Sequence, residues 1–160
     1  MELADITAVL ADPVTVELVE RATVMRVAYT GRDGAPRVVP VGYLLRDGRF
    51  SFCTTPISAK TAALRADPRV ALTVDTTDPL CCLFVRGTAE VEVVSGVPDD
   101  YLEYSFRGMP SEQHADFERQ VRGLYDEMAR IVITPTFARL NDFRRTAPRA
   151  IEQLMAAKQA

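Results

Sequence analysis

Apolar positions recur at helical spacing at the start of the chain. Val14, Leu18 and Val19 give one face to a helix that reaches about residue 21, and Asp12-Pro13 reads as an N-cap followed by a helix-starting proline. From Val24 the pattern turns β-rich. Residues 24–30 read as a strand, Gly31-Arg32-Asp33-Gly34 as a hairpin turn and 36–45 as a second strand. Asp47-Gly48 is another turn, and 49–54 a third strand. Three strands joined by short turns predict an antiparallel meander. Ser58 caps a helix over 59–65 that stops near Asp67-Pro68, because proline disfavours helix in the residue before it. Val70, Leu72 and Val74 alternate with Ala71 and Thr73 in a strand over 69–75. After a loop at 76–79, residues 80–94 form a long strand that Gly87 bends, and such a bend helps a sheet to curl. A short helix follows near 100–106. Phe117, Val121, Leu124 and Met128 stripe a longer one over 111–128. Residues 131–134 and 137–143 return to strand, Pro135 marks a bend or an edge, and 151–157 are helical. Six or seven mostly antiparallel strands with helices added at one side predict a mainly β chain, a small closed or partly open barrel. Without regular alternation of strand and helix, a doubly wound parallel sheet is not expected.

A length of 160 residues fits one domain, taken as 1–146, with a helical tail over 147–160. The net charge of −3 gives no electrostatic reason to expect nucleic acid. No secretory signal and no apolar run of membrane length is visible, so a cytoplasmic protein without a membrane partner is expected. Cys53, Cys81 and Cys82 lack metal-ligand spacing and read as buried apolar thiols, so no metal is expected. His114 is the only histidine and opens a charged helical segment. No nucleophile elbow supports a hydrolytic triad around it.

The chemistry concentrates in Thr54-Thr55-Pro56-Ile57-Ser58-Ala59-Lys60-Thr61, where a strand ends and a helix begins. A helix start offers unpaired N–H groups and the positive end of the dipole. Hydroxyls and the Lys60 ammonium added to these make a candidate phosphate site. Neither a Walker-type loop nor a Gly-x-Gly-x-x-Gly is present.

Several segments, in this order, resemble the pyridoxamine 5′-phosphate oxidase-like split-barrel family. They are Val27-Ala28-Tyr29-Thr30, Asp33-Gly34-Ala35-Pro36-Arg37-Val38-Val39-Pro40-Val41, Ser58-Ala59-Lys60-Thr61, Leu64-Arg65-Ala66-Asp67-Pro68-Arg69-Val70, Val85-Arg86-Gly87 and Asn141-Asp142-Phe143. The resemblance spans about residues 5–146 and implies a homodimer of split β-barrels. FMN, or alternatively the deazaflavin coenzyme F420, would lie in a groove between the subunits. It would be held along Arg37, Val38, Val39 and Pro40 and at its phosphate by Cys53, Thr54, Ser58, Ala59 and Lys60. Cys82 or Arg86 would also face the groove, according to register. The implied activity is hydride transfer to or from a small organic substrate. The oxidase's C-terminal Arg-x-His is absent, since the chain reads Phe143-Arg144-Arg145-Thr146 there, so pyridoxine phosphate is not the expected substrate. A non-catalytic carrier of flavin or haem, or a cofactor-free structural dimer, is the alternative. No catalytic acid is identified. Tyr29, Tyr43 and Arg37 are candidates only if they face the ring; for each tyrosine, packing inside the barrel is the plainer role. Strand alternation puts Gly42 on the face of Val38 and Pro40, where it would leave room beside a planar ring.

Overall fold

Gly42 and Tyr43 decide how the sheet closes. The computed structural model describes residues 1–145, 147 and 149–159. Helices α1 (Leu3–Ala11) and α2 (Pro13–Arg21) lead into β1 (Met25–Thr30) and β2 (Pro36–Val41). The expected second strand then breaks at Gly42-Tyr43 and resumes as β3 (Leu44–Arg46), followed by β4 (Arg49–Thr54). Next come α3 (Ala59–Ala66), β5 (Arg69–Thr77), β6 (Leu80–Ser95), α4 (Asp99–Phe106), α5 (His114–Leu124), β7 (Glu127–Asp142) and α6 (Arg149–Gln159). Among the described residues the seven strands form one antiparallel sheet in the order β2-β1-β5-β6-β7-β4-β3.

The predicted three-stranded meander is therefore corrected. The hairpins β1–β2 and β3–β4 both form, but β2 and β3 lie at opposite ends of the strand order. Two residues join the two edges, so the sheet has to curl until they meet. Tyr43 fixes the junction: it is fully buried, and its hydroxyl donates to the carbonyl of Val19 at 3.3 Å. The guanidinium of Arg107, just after α4, donates to the Tyr43 carbonyl. Gly42 leaves room for an aromatic ring, but that ring is Tyr104 of the protein itself. A Cβ at 42 would lie 2.5 Å from its Cδ2.

Inside the curl, alternate residues of the strands meet: Met25 and Val27, Phe50 and Phe52, Leu72 and Val74, Leu83 and Val85, Ile131 and Ile133. Ile6, Leu10, Val14 and Leu18 of α1 and α2 join the same core. Burial of such side chains is worth about 25 cal/mol per Å² of apolar surface and is the main term holding the barrel. A second core lies under α4 and α5, where Cys53, Val97, Leu102, Val121 and Met128 meet Tyr101, Phe106, Phe117 and Tyr125. β4 thus has both faces covered.

Two further expectations change. The helix over 111–128 ends at Leu124, which is 70% exposed and off the apolar stripe. Tyr125 turns extended, and residues 127–130 pair instead with the end of β6, which carries Met128 into the second core on a strand. Pro135 does not divide the last strand. β7 runs through it, with the irregularity taken up as a bulge between Arg86 and Gly87 opposite Pro135 and Phe137. A Cβ at Gly87 would sit 2.5 Å from the Thr134 carbonyl oxygen, so the backbones approach there as only glycine allows. The tail helix forms as α6; the expected domain boundary falls at Thr146, outside the described residues.

Candidate functional site

At the β4–α3 junction, hydroxyls organise the turn. Ser58 is extended, and its Oγ accepts from the Thr61 amide at 3.2 Å, which caps α3. The buried Thr61 hydroxyl hydrogen-bonds to Ser58 Oγ at 2.8 Å and lies 3.0 Å from the Thr55 carbonyl. Lys60 Nζ donates to Thr54 Oγ1 at 2.9 Å, which leaves two of its three N–H donors for a ligand. The ammonium is half-buried, and burial draws its pKa below the usual lysine value.

The face that α3 turns toward the β1–β2 hairpin is made of alanines. Ala59, Ala62 and Ala63 leave a cavity of about 380 Å³ against Tyr29, Arg32 and Arg37. Arg37 is held by Asp33 at 2.6 Å. The Ala35 amide and the Arg37 guanidinium keep the Asp33 carboxyl below its ordinary range. A guanidinium has five donors, so this pairing leaves Arg37 with capacity for an anion.

On the outer face of the sheet lies a second, apolar groove of about 350 Å³, lined by Ala28, Val38, Ala71, Phe84, Arg86 and Phe137 among others. Val38 is 63% exposed there, and the Arg86 guanidinium stacks 4.4 Å over the Phe137 ring. β2 touches both spaces. Arg37 lines the cavity at α3 and Val38 lines the groove, as strand alternation requires. β2 is also an edge strand, pairing only with β1 among the described residues. Pro36 and Pro40 share the register set of Val38 and have no N–H to give a ladder, so this set faces the open edge. The edge then presents the Val38 N–H and the carbonyls of 36, 38 and 40 to a ligand.

Of the residues singled out in the sequence, Arg37 and Ala59 meet at the cavity, Val38 and Arg86 meet at the groove, and Thr54, Ser58 and Lys60 meet at the junction beside the cavity. Val39 pairs with Val27 on the inner side of β2, and Pro40 with Arg26 on the outer. Two residues stand apart. The Cys53 side chain is in the second core, where burial first and Asp100 next push its thiol up to about 12. Cys82 faces outward on β6 opposite Asp75 and Asn141, and burial with the Asp75 charge pushes its thiol up to about 11. Tyr29 lines the cavity; Tyr43 lines neither space and packs inside the barrel.

Arg32 and Phe84 were not singled out in advance. Phe84 carried a readable signal, an aromatic in the outward slot between Leu83 and Val85. Arg32 sits in a hairpin turn, where a charge is ordinary and signals nothing. Among the described residues no group of His, Cys, Asp and Glu is placed to hold a metal, and no helix is long and apolar enough to cross a membrane.

The arrangement is a cationic cavity and an apolar groove joined by a hydrogen-bonding strand edge. Such a set suits a flat heteroaromatic ligand with a phosphorylated tail.

Among solved structures, a protein described as an F420 reductase is 28% identical, with a TM-score of 0.60 over 77% of this chain and 94% of that one. A conserved hypothetical protein from Mycobacterium tuberculosis is 23% identical, with a TM-score of 0.60 over 90% of this chain and 86% of that one. A haem storage protein from Vibrio cholerae is 14% identical, with a TM-score of 0.58 over 82% and 93%. The last two likenesses bear on the fold alone. Comparison with curated proteins returns no match. Residues 11–127 match the family described as pyridoxamine 5′-phosphate oxidase, and with the seven-stranded barrel above this places the chain in that family.

Proposed function

We propose that the chain is an oxidoreductase that binds a flavin-type coenzyme, FMN or the deazaflavin F420, and transfers hydride to or from a small organic substrate. The observation that carries this is β2, an open strand edge with a cationic cavity at Arg37 and an apolar groove at Val38. The residues fit such a coenzyme. Lys60 and Arg37 both keep unused donors, and about 380 Å³ accommodates a phosphate with part of its tail. The likeness to an F420 reductase at 28% identity weighs toward the deazaflavin.

When bound, the coenzyme supplies the hydride chemistry. In this reading the chain's residues do the rest. Lys60, Arg37 and the α3 N-terminus hold negative charge at one end. The Val38 N–H and neighbouring carbonyls orient the ring through its polar edge. Ala28, Ala71 and Phe84 present a surface without hydrogen-bonding groups, which excludes water once covered. A second copy of the chain, laid on this outer face, is the proposed cover.

A second reading is a carrier of the same coenzyme without turnover. It draws on one feature of the groove: among the described residues that line it there is no carboxyl, imidazole, phenol, thiol or ammonium to move a proton. A haem carrier has less support, since the single imidazole, His114, is stacked on Phe106 at 4.1 Å and bonded to the Met109 carbonyl, and lines neither space. The test is to load the full chain and follow the coenzyme spectrum. Reduction and reoxidation by added small molecules, with pyridoxine phosphate left unoxidised, is the expected result. A bound coenzyme inert to every reductant tried would establish the carrier.

A further inference from the structure

Far from α3, at the other end of β4, the outer face of the sheet carries a small polar cavity of about 80 Å³. Its walls include three arginines, Arg46, Arg49 and Arg130, with the buried Ser51 and two carboxylates, Asp47 and Asp100. Arg46 and Arg49 are direct partners across the β3–β4 hairpin, so two guanidinium groups project side by side from one face. Like charges placed directly opposite oppose pairing unless something neutralises them. The tight turn between them, Asp47 and Gly48 with φ of 52° and 72°, leaves the two strands no freedom to slip apart.

The network is only partly neutralised from within. Arg130 places Nε and Nη2 each 2.8 Å from Asp100 Oδ2, and Ser51 Oγ donates to the same oxygen at 3.2 Å. Arg130 also lies 4.0 Å from Glu92, and Arg46 is bound to Glu103 at 2.8 Å and lies 3.7 Å from Asp100 Oδ1. Arg49 has no ion pair or hydrogen bond among the described residues, although it lines the cavity. Asp100 and Glu103 therefore hold two of the guanidinium forks in place, and the third remains for a ligand.

We propose that this cavity binds a compact oxyanion of the phosphate or sulfate class, held by Arg49 with Arg46 and Arg130 at its sides, at a site separate from the coenzyme anchor. The volume admits an ion of a few heavy atoms and excludes a nucleotide. Guanidinium groups suit oxyanions because their planar donors match two oxygens at once. The site lies at Arg49, the start of β4, and the anchor at Thr54, its end, a separation of about 17 Å at strand rise.

The test is titration of inorganic phosphate into the full chain by calorimetry at low chloride. It uses the Lys60→Ala variant, which weakens the competing anchor, and the same variant also carrying Arg49→Gln. Arg49 is exposed, so the second change leaves the fold intact, which circular dichroism verifies. Saturable binding to Lys60→Ala that weakens about tenfold or more with Arg49→Gln is expected. Absence of saturable binding to Lys60→Ala, or equal affinity with and without Arg49, would overturn the site.

Discussion

Lys60 is the side chain on which the proposed coenzyme binding most depends, because it is the one half-buried ammonium at the α3 N-terminus. Lys60→Ala should leave the fold intact and weaken a phosphorylated flavin or deazaflavin by about ten- to a hundred-fold, from the roughly 1.5–3 kcal/mol of a charge-assisted contact. Its titration adds a pH signature. Burial lowers the pKa of Lys60 below 10.5, so in the free protein the ammonium is lost at a lower pH than in an exposed lysine. A phosphate prefers the charged form. Affinity is therefore retained below the depressed pKa and falls as pH rises through it, and Lys60→Ala should abolish that alkaline fall. Isothermal titration across alkaline pH reads both. The junction was legible because capping and anion binding are local: Thr54, Ser58 and Lys60 lie within seven consecutive residues. Arg32 was not, because it reaches the cavity only through the packing of a hairpin turn on the alanines of α3.

At the scale of elements, the bulge between β6 and β7 makes a sharp stability prediction. Gly87→Ala drives a Cβ against a backbone oxygen and should cost about 1–3 kcal/mol, read as a lower thermal midpoint. Gly123→Ala is the contrast. That glycine is in α5 with nothing within 4 Å of a Cβ, and alanine there should stabilise by about 0.5–1 kcal/mol. Equal melting of the two variants would contradict the bulge. β2 offers a paired test of its open edge. Val38→Pro removes an N–H assigned to the ligand side and should fold but bind coenzyme poorly, whereas Val39→Pro removes a bond to β1 and should unfold part of the sheet. Most strands were visible from alternation, and Gly87 from its isolation in a strand. The end of α5 was not. Leu124 and Met128 continue the helical stripe in sequence, and only pairing of residues 127–130 with β6 shows that the strand wins.

For the whole molecule, a barrel was legible in the sequence, but the route by which it closes was not, for a physical reason. Residues 36–45 alternate as one strand, and no local pattern tells that Gly42-Tyr43 carries the chain from one edge of the sheet to the other. What closure leaves outside is an apolar patch with Phe84 40% and Val38 63% exposed, the proposed contact with a second copy. Phe84→Glu should convert a dimer to a folded monomer in sedimentation velocity. A wild-type chain that is already monomeric at micromolar concentration would remove the dimer proposal. The coenzyme itself is tested most directly by titrating the wild type and Lys60→Ala with FMN and with F420, side by side. The expected result is saturable micromolar binding of one or both to the wild type and a loss of about ten- to a hundred-fold in the variant. Binding of neither coenzyme, or binding that Lys60→Ala leaves unchanged, would contradict it.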